Sequence, residues 1–122
     1  MNNSDLKELC RQIRCDIINM VTDASSGHPG GSLSCVELIE GAFSQMRVDP
    51  KNPAWPERDR FVLSKGHCAP ALYSVLAHRG FFPVEELSTL RKLHSRLQGH
   101  PDSKKCPGVD VATGSLGQGV SL

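Results

Sequence analysis

Glycine and proline clusters cut this chain into short pieces, and any fold it adopts must be built from what lies between them. "SSGHPGGS" fills residues 25–32, "DPKNPAWPE" fills 49–57, and "TGSLGQG" fills 113–119. Proline removes a backbone donor, and an internal glycine costs a helix about 1 kcal/mol relative to alanine, so loops and sharp corners are expected at such stretches. With 122 residues in all, there is room for one domain core and not for two.

The pieces between the breaks read mainly as helices. Leu6, Leu9, Cys10, Ile13, Ile17, Met20, Val21 and Ala24 recur at helical spacing, with Lys7, Arg11 and Arg14 opposite, which predicts a helix over residues 4–24 capped by Ser4. Ser34 and Glu37 have capping-box spacing, and Val36, Ile39, Ala42, Phe43 and Met46 line one face, so a second helix is expected from Ser34. Phe61, Val62 and Leu63 have buried-strand character. After Ser64-Lys65-Gly66-His67 a third helix is expected over 69–79, stopped by Gly80. A fourth is expected over 84–96, with Leu87, Leu90 and Leu93 facing inward. The tail ends in the start of another helix at Val120 and Leu122, with no cap, and reads as cut. Strand followed by turn and helix at 61–71 gives the chain α/β character, with one or two short parallel strands in a helix-rich whole.

Within the breaks, one dipeptide recurs. His28, His67 and His100 each follow a glycine, three of only five histidines, whereas chance pairing with 11 glycines in 122 positions gives fewer than one. A single Gly-His-Pro is usually a tight turn with an exposed histidine, but three corners at loop-to-helix junctions invite a shared role. Helix N-termini present unpaired N–H groups and partial positive charge to an anion. Glycine allows close backbone approach, and imidazole adds an N–H donor that titrates near neutral pH. A strand leading through Ser-Lys-Gly-His into a helix suits a diphosphate, although Lys65 is equally well read as solvated. "TGSLGQG" is a further close-approach loop but is neither a Walker A loop nor an in-phase G-x-G-x-x-G. His78 and His94 fall in expected helices and read as ordinary, partly exposed residues.

Composition removes other classes. Net charge is +1 and aromatic residues are 5%, which gives neither the field nor the stacking platform of a nucleic-acid binder. The longest uncharged stretch, 24–36, falls short of the roughly 18 apolar residues of a membrane span, and the N-terminus lacks a signal-peptide pattern, so a cytoplasmic protein is expected. The five cysteines contain no C-x-x-C, which fits neither a disulfide framework nor a local zinc site; Cys10 and Cys35 read as small core residues.

"SSGHPGGSLSCVELI", "DRFVLSKGHCAPALYSVLAHRGFF", "LQGHPD" and "PGVDVATGSLGQGVSL" together resemble the start of transketolase, and especially the separate N-terminal subunit of split transketolases. The resemblance covers residues 6–122, with the motifs in family order. It implies part of a thiamine diphosphate-binding fold, here an incomplete domain over residues 1–122. The reaction it implies is transfer of a two-carbon ketol unit between sugar phosphates, with thiamine diphosphate and Mg²⁺ or Ca²⁺. By resemblance His28 lies beside the reacting carbon, where it binds substrate and moves protons. His67 reaches the cofactor diphosphate, and His100 holds a hydroxyl of the donor sugar. The backbone of Gly114, Ser115 and Leu116 lies against the cofactor, with Ser115 where many relatives have proline.

The resemblance also implies parts that these residues do not supply. The family holds its metal through Gly-Asp-Gly and a later asparagine; no Gly-Asp occurs here, and the only asparagines are Asn2, Asn3, Asn19 and Asn52. The glutamate that activates the aminopyrimidine belongs to another domain, carried in split enzymes by a C-terminal subunit, in a homodimer-type assembly. The chain alone is therefore expected to be inactive. Two other readings remain: another thiamine diphosphate ketol transferase such as dihydroxyacetone synthase, and a non-catalytic remnant that serves as an assembly module.

Overall fold

A computed structural model describes residues 2–25 and 27–111 of the chain. Four helices form its frame: α1 (Asn3–Ala24), α2 (Pro29–Ser34), α3 (Val36–Gln45) and α4 (Ala69–His78). Single 3₁₀ segments cover Gly66–Cys68 and Val84–Thr89.

Helix α4 is the centre. Every residue from Ala69 to Ala77 is buried, as expected for a helix apolar on all sides, and α1, α2 and α3 all pack against it. Helix α1 turns Cys10, Ile13, Ile17 and Met20 inward, the stripe its spacing predicts. Its cap differs from expectation. Asn2, not Ser4, takes the position, and its Oδ1 accepts a hydrogen bond from Asp5 N–H at 2.9 Å.

Polar ties fasten these helices. His78 Nε2 lies 2.7 Å from Asp16 Oδ2, and Ser74 Oγ donates to the same oxygen at 2.9 Å, so His78 is a largely buried bridge between α4 and α1 rather than an ordinary surface residue. Glu40 of α3 is 1% exposed and accepts from the Arg79 guanidinium just past α4. Its second oxygen and Arg79 Nε have no hydrogen-bond partner among the described residues.

Three expected elements take other forms. The second helix does not start at Ser34. Pro29 starts α2 and fits the first helical turn, where its missing N–H costs nothing; Ser34 Oγ then donates back to Gly31 O at 2.9 Å instead of capping, and Cys35 precedes α3. Residues 61–63 make no strand, and no strand occurs among the described residues. Phe61 N–H donates to Asp110 Oδ2 at 2.9 Å, a bond a strand would give to a neighbouring strand. Asp110 Oδ1 is held in turn by Arg58 at 2.9 and 3.1 Å.

The fourth expected helix stops after Thr89. Ser88 and Thr89 hydroxyls donate back to Glu85 O and Glu86 O, at 3.1 and 2.6 Å, and such local bonds compete with helix continuation. Leu90 is extended, while Arg91 and His94 adopt left-handed backbone. Leu87, Leu90 and Leu97 are buried, but Leu93 is 87% exposed and His94 lies outside any helix.

All five cysteines are free; Cys10 is buried and Cys35 half-buried. Among the described residues no helix is long and apolar enough to cross a membrane.

Candidate functional site

Two of the Gly-His corners meet. Pro29 carries the chain from His28 into α2, while Lys65 leads through the Gly66–Cys68 turn into α4. This brings the His28 and His67 rings edge to face, with centroids 5.9 Å apart and planes at 89°. His28 is exposed and His67 half-buried, so one imidazole reaches solvent while its neighbour is partly held by the fold.

Gly31 makes the approach possible. A Cβ at this position would stand 3.3 Å from Cys68 Sγ and 3.3 Å from His67 Cδ2, so any side chain here would press on the imidazole. Lys65 Nζ lies 3.5 Å from Gly31 O, its one side-chain hydrogen bond among the described residues. Next to Gly31, Ser32 is fully buried and its Oγ has no partner among the described residues. Burial of an unpaired hydroxyl is unfavourable, and such groups concentrate where a ligand or water completes them.

Behind the corner sit two thiols. Burial and the neighbouring Cys68 push the Cys35 thiol up to about 11, so it is protonated at neutral pH and behaves as packing. Cys68 is fully buried.

The third corner is fixed from α4. Tyr73 of α4, fully buried, donates from its hydroxyl to Gln98 O at 2.5 Å and fixes the chain two residues before His100. Burial raises the Tyr73 phenol far above its ordinary range, so it remains a donor at any physiological pH. His100 itself is exposed, and Pro101 after it is buried. Gly114, Ser115 and Leu116 lie outside the described residues.

Among the described residues no three His, Cys, Asp or Glu side chains are grouped to hold a metal ion. The described residues alone therefore offer no site for Mg²⁺ or Ca²⁺.

The family model for the thiamine diphosphate binding domain of transketolase matches residues 6–122. This chain belongs to that family. It is 48% identical over 118 residues to the 6-deoxy-6-sulfo-D-fructose transketolase subunit SqwG of Clostridium sp. (strain MSTE9), covering 96% of this chain and 43% of the relative. It is 42% identical over 120 residues to transketolase 1 of Escherichia coli (strain K12), covering 97% of this chain and 18% of that protein. Among solved structures, Campylobacter jejuni transketolase superposes with a TM-score of 0.86 at 40% identity, over 99% of this chain and 19% of that one. Pichia stipitis transketolase in complex with sedoheptulose-7-phosphate gives 0.84 at 41%, over 94% of this chain and 17% of that one. The helix-rich architecture is therefore part of the transketolase cofactor-binding fold, and the chain spans less than half the length of these relatives.

The helix-rich fold and the membership are established, and His28 and His67 are neighbours. Sequence reasoning passed over Gly31 and Cys68 as site residues, and the Gly-Gly pair following His-Pro was the available signal for close packing.

Proposed function

We propose that the chain forms part of the thiamine diphosphate site of a transketolase, an enzyme that moves a two-carbon ketol unit between sugars bearing a terminal anion. The observation that carries the reading is the edge-to-face meeting of His28 and His67, with Gly31 closely packed against the His67 ring. The residues fit the diphosphate end of the cofactor: Lys65 brings positive charge, the His67 ring brings an N–H donor, Gly31 admits close approach, and the Ser32 hydroxyl has no other partner among the described residues.

When bound, thiamine diphosphate supplies the electron sink for cleaving a carbon–carbon bond beside a carbonyl. His67, with Lys65, anchors and orients the diphosphate. His28, exposed at the edge of the pair, accepts a proton from a substrate hydroxyl and returns it, a role for which an imidazole near neutral pH is suited. His100 donates to a hydroxyl of the donor sugar and holds it in register. Gly114, Ser115 and Leu116 contribute backbone contacts to the cofactor.

The relative SqwG is named as a subunit of a sulfo-sugar transketolase, which supports a two-subunit assembly in which a C-terminal subunit completes the site. It also widens the substrate class to ketoses ending in phosphate or sulfonate.

Ketol-transfer assays on two proteins test the proposal: the 122-residue chain by itself, and a chimera in which it replaces the 120 matched residues of Escherichia coli transketolase 1. With thiamine diphosphate and Mg²⁺, the chimera is expected to turn over and the chain alone to be silent. A folded chimera without activity would refute the assignment, and turnover by the chain alone would refute its dependence on other domains.

A further inference from the structure

Tyr73 is the only tyrosine of the chain, and it is fully buried in α4. Phenylalanine would fill almost the same volume and bring no hydroxyl to satisfy, so packing alone does not call for tyrosine here. The hydroxyl points out of the helix to a backbone acceptor 25 residues on, Gln98 O, to which it donates at 2.5 Å. Burial keeps the phenol protonated, so this donor persists wherever the fold does.

Gln98 opens the third Gly-His corner, and that corner is pinned on both sides. Upstream, Leu97 is wholly buried and its carbonyl accepts from Arg91 N–H at 2.9 Å. Downstream, Pro101 is buried, and Asp102 closes the next turn. Its carbonyl accepts from Lys105 and Cys106 N–H at 3.1 and 3.0 Å, and its Oδ1 accepts from Lys104 N–H at 2.9 Å. Between these anchors stand Gly99 and the exposed His100.

Helix α4 joins this corner to the cofactor corner. The Gly66–Cys68 turn that carries His67 runs directly into α4 at Ala69. Tyr73 follows four residues later, about 6 Å along the axis at the rise of an α-helix. One buried helix therefore has His67 at its entry and, a turn further on, the hydroxyl that fixes the approach to His100.

We infer that Tyr73 is a positioning residue for ketol transfer: through Gln98, and with Pro101 on the far side, it sets His100 at a fixed place relative to the His67 corner. Being wholly buried, Tyr73 reaches neither sugar nor cofactor itself. Its leverage is geometric, because a displacement of about 1 Å in a group that orients substrate can cost on the order of 10²-fold in rate. The inference rests on the reading of His100 as the residue that holds the donor sugar.

A double-mutant cycle in the Escherichia coli transketolase 1 chimera tests it, with thiamine diphosphate and Mg²⁺ present and sedoheptulose-7-phosphate as donor. Tyr73→Phe should lower kcat/KM for the donor at least fivefold. Affinity for thiamine diphosphate should stay within twofold, because the His67 corner is left in place. In a His100→Ala background the same change should cost less than twofold, since a residue that acts through another then has nothing to act on. Pro101→Ala loosens the corner from the other side and leaves the Tyr73 bond intact. It should lower kcat/KM at least threefold, and it keeps the test valid if the tyrosine variant misfolds. Where His100→Ala impairs the donor reaction, kcat/KM within twofold of the parent in folded Tyr73→Phe, or in Pro101→Ala if the former does not fold, overturns the positioning role alone. A Tyr73→Phe effect that persists in full beside His100→Ala overturns it too. A donor reaction unmoved by His100→Ala itself shows instead that the underlying reading of His100 has failed, and the inference falls with it.

Discussion

Turnover of the chimera described above should fall by about 10²–10⁴-fold when His28 is replaced by alanine, the range typical of a lost general acid or base. The side chain is exposed, so the same change should alter unfolding free energy by no more than about 0.5 kcal/mol. This separation is what distinguishes a proton-transferring residue from a structural one. His67 is only half-buried and touches His28 edge to face, so the neighbour also gains access to solvent and little packing is lost. Kinetics at saturating substrate alongside urea unfolding decide the matter. Turnover within about threefold of the parent would mean that His28 does not carry the proton.

The largest effect on folding is expected at the other end of α4. Arg79→Leu should destabilise the chain by about 3–5 kcal/mol, because it strands the Glu40 carboxylate at 1% exposure with neither oxygen paired. The cause is the abandoned charge and not the lost attraction. Replacing both residues, Arg79→Leu with Glu40→Met, should therefore recover most of the stability, since apolar side chains of similar volume fill a buried ion-pair site well. Urea denaturation of the two variants checks this. A loss below about 1 kcal/mol in the single variant would show that water reaches Glu40.

The same pair illustrates what could be read from the sequence. Glu40 interrupts the apolar stripe of Val36, Ile39 and Phe43 at helical spacing, and a carboxylate in that position needs a cation; only the fold shows that Arg79, 39 residues on, supplies it. Helices α1 and α4 were legible because their apolar spacing is long and uninterrupted, and they are the elements the rest packs on. Helix α2 was not, since Pro-Gly-Gly-Ser has poor intrinsic propensity and the short helix exists through packing against its neighbours. Residues 61–63 had strand composition, but strand formation requires a partner, and Asp110 takes the Phe61 N–H instead.

The leucines after Val84 misled for a different reason. Leu87, Leu90 and Leu97 do reach the core, yet a closed loop rather than a helix brings the last two there, and this leaves Leu93 at the exposed tip. At the site, recurrence of Gly-His singled out His28 and His67 and the fold joins them.

The central claim is that the Lys65-Gly66-His67 corner holds the diphosphate of the cofactor. Calorimetric titration of thiamine diphosphate into the cofactor-free chimera, in Mg²⁺, tests it most directly. His67→Ala should weaken binding at least tenfold, about 1.4 kcal/mol, in keeping with loss of one hydrogen bond to a charged group. Affinity within about twofold of the parent in a folded His67→Ala chimera would contradict the account.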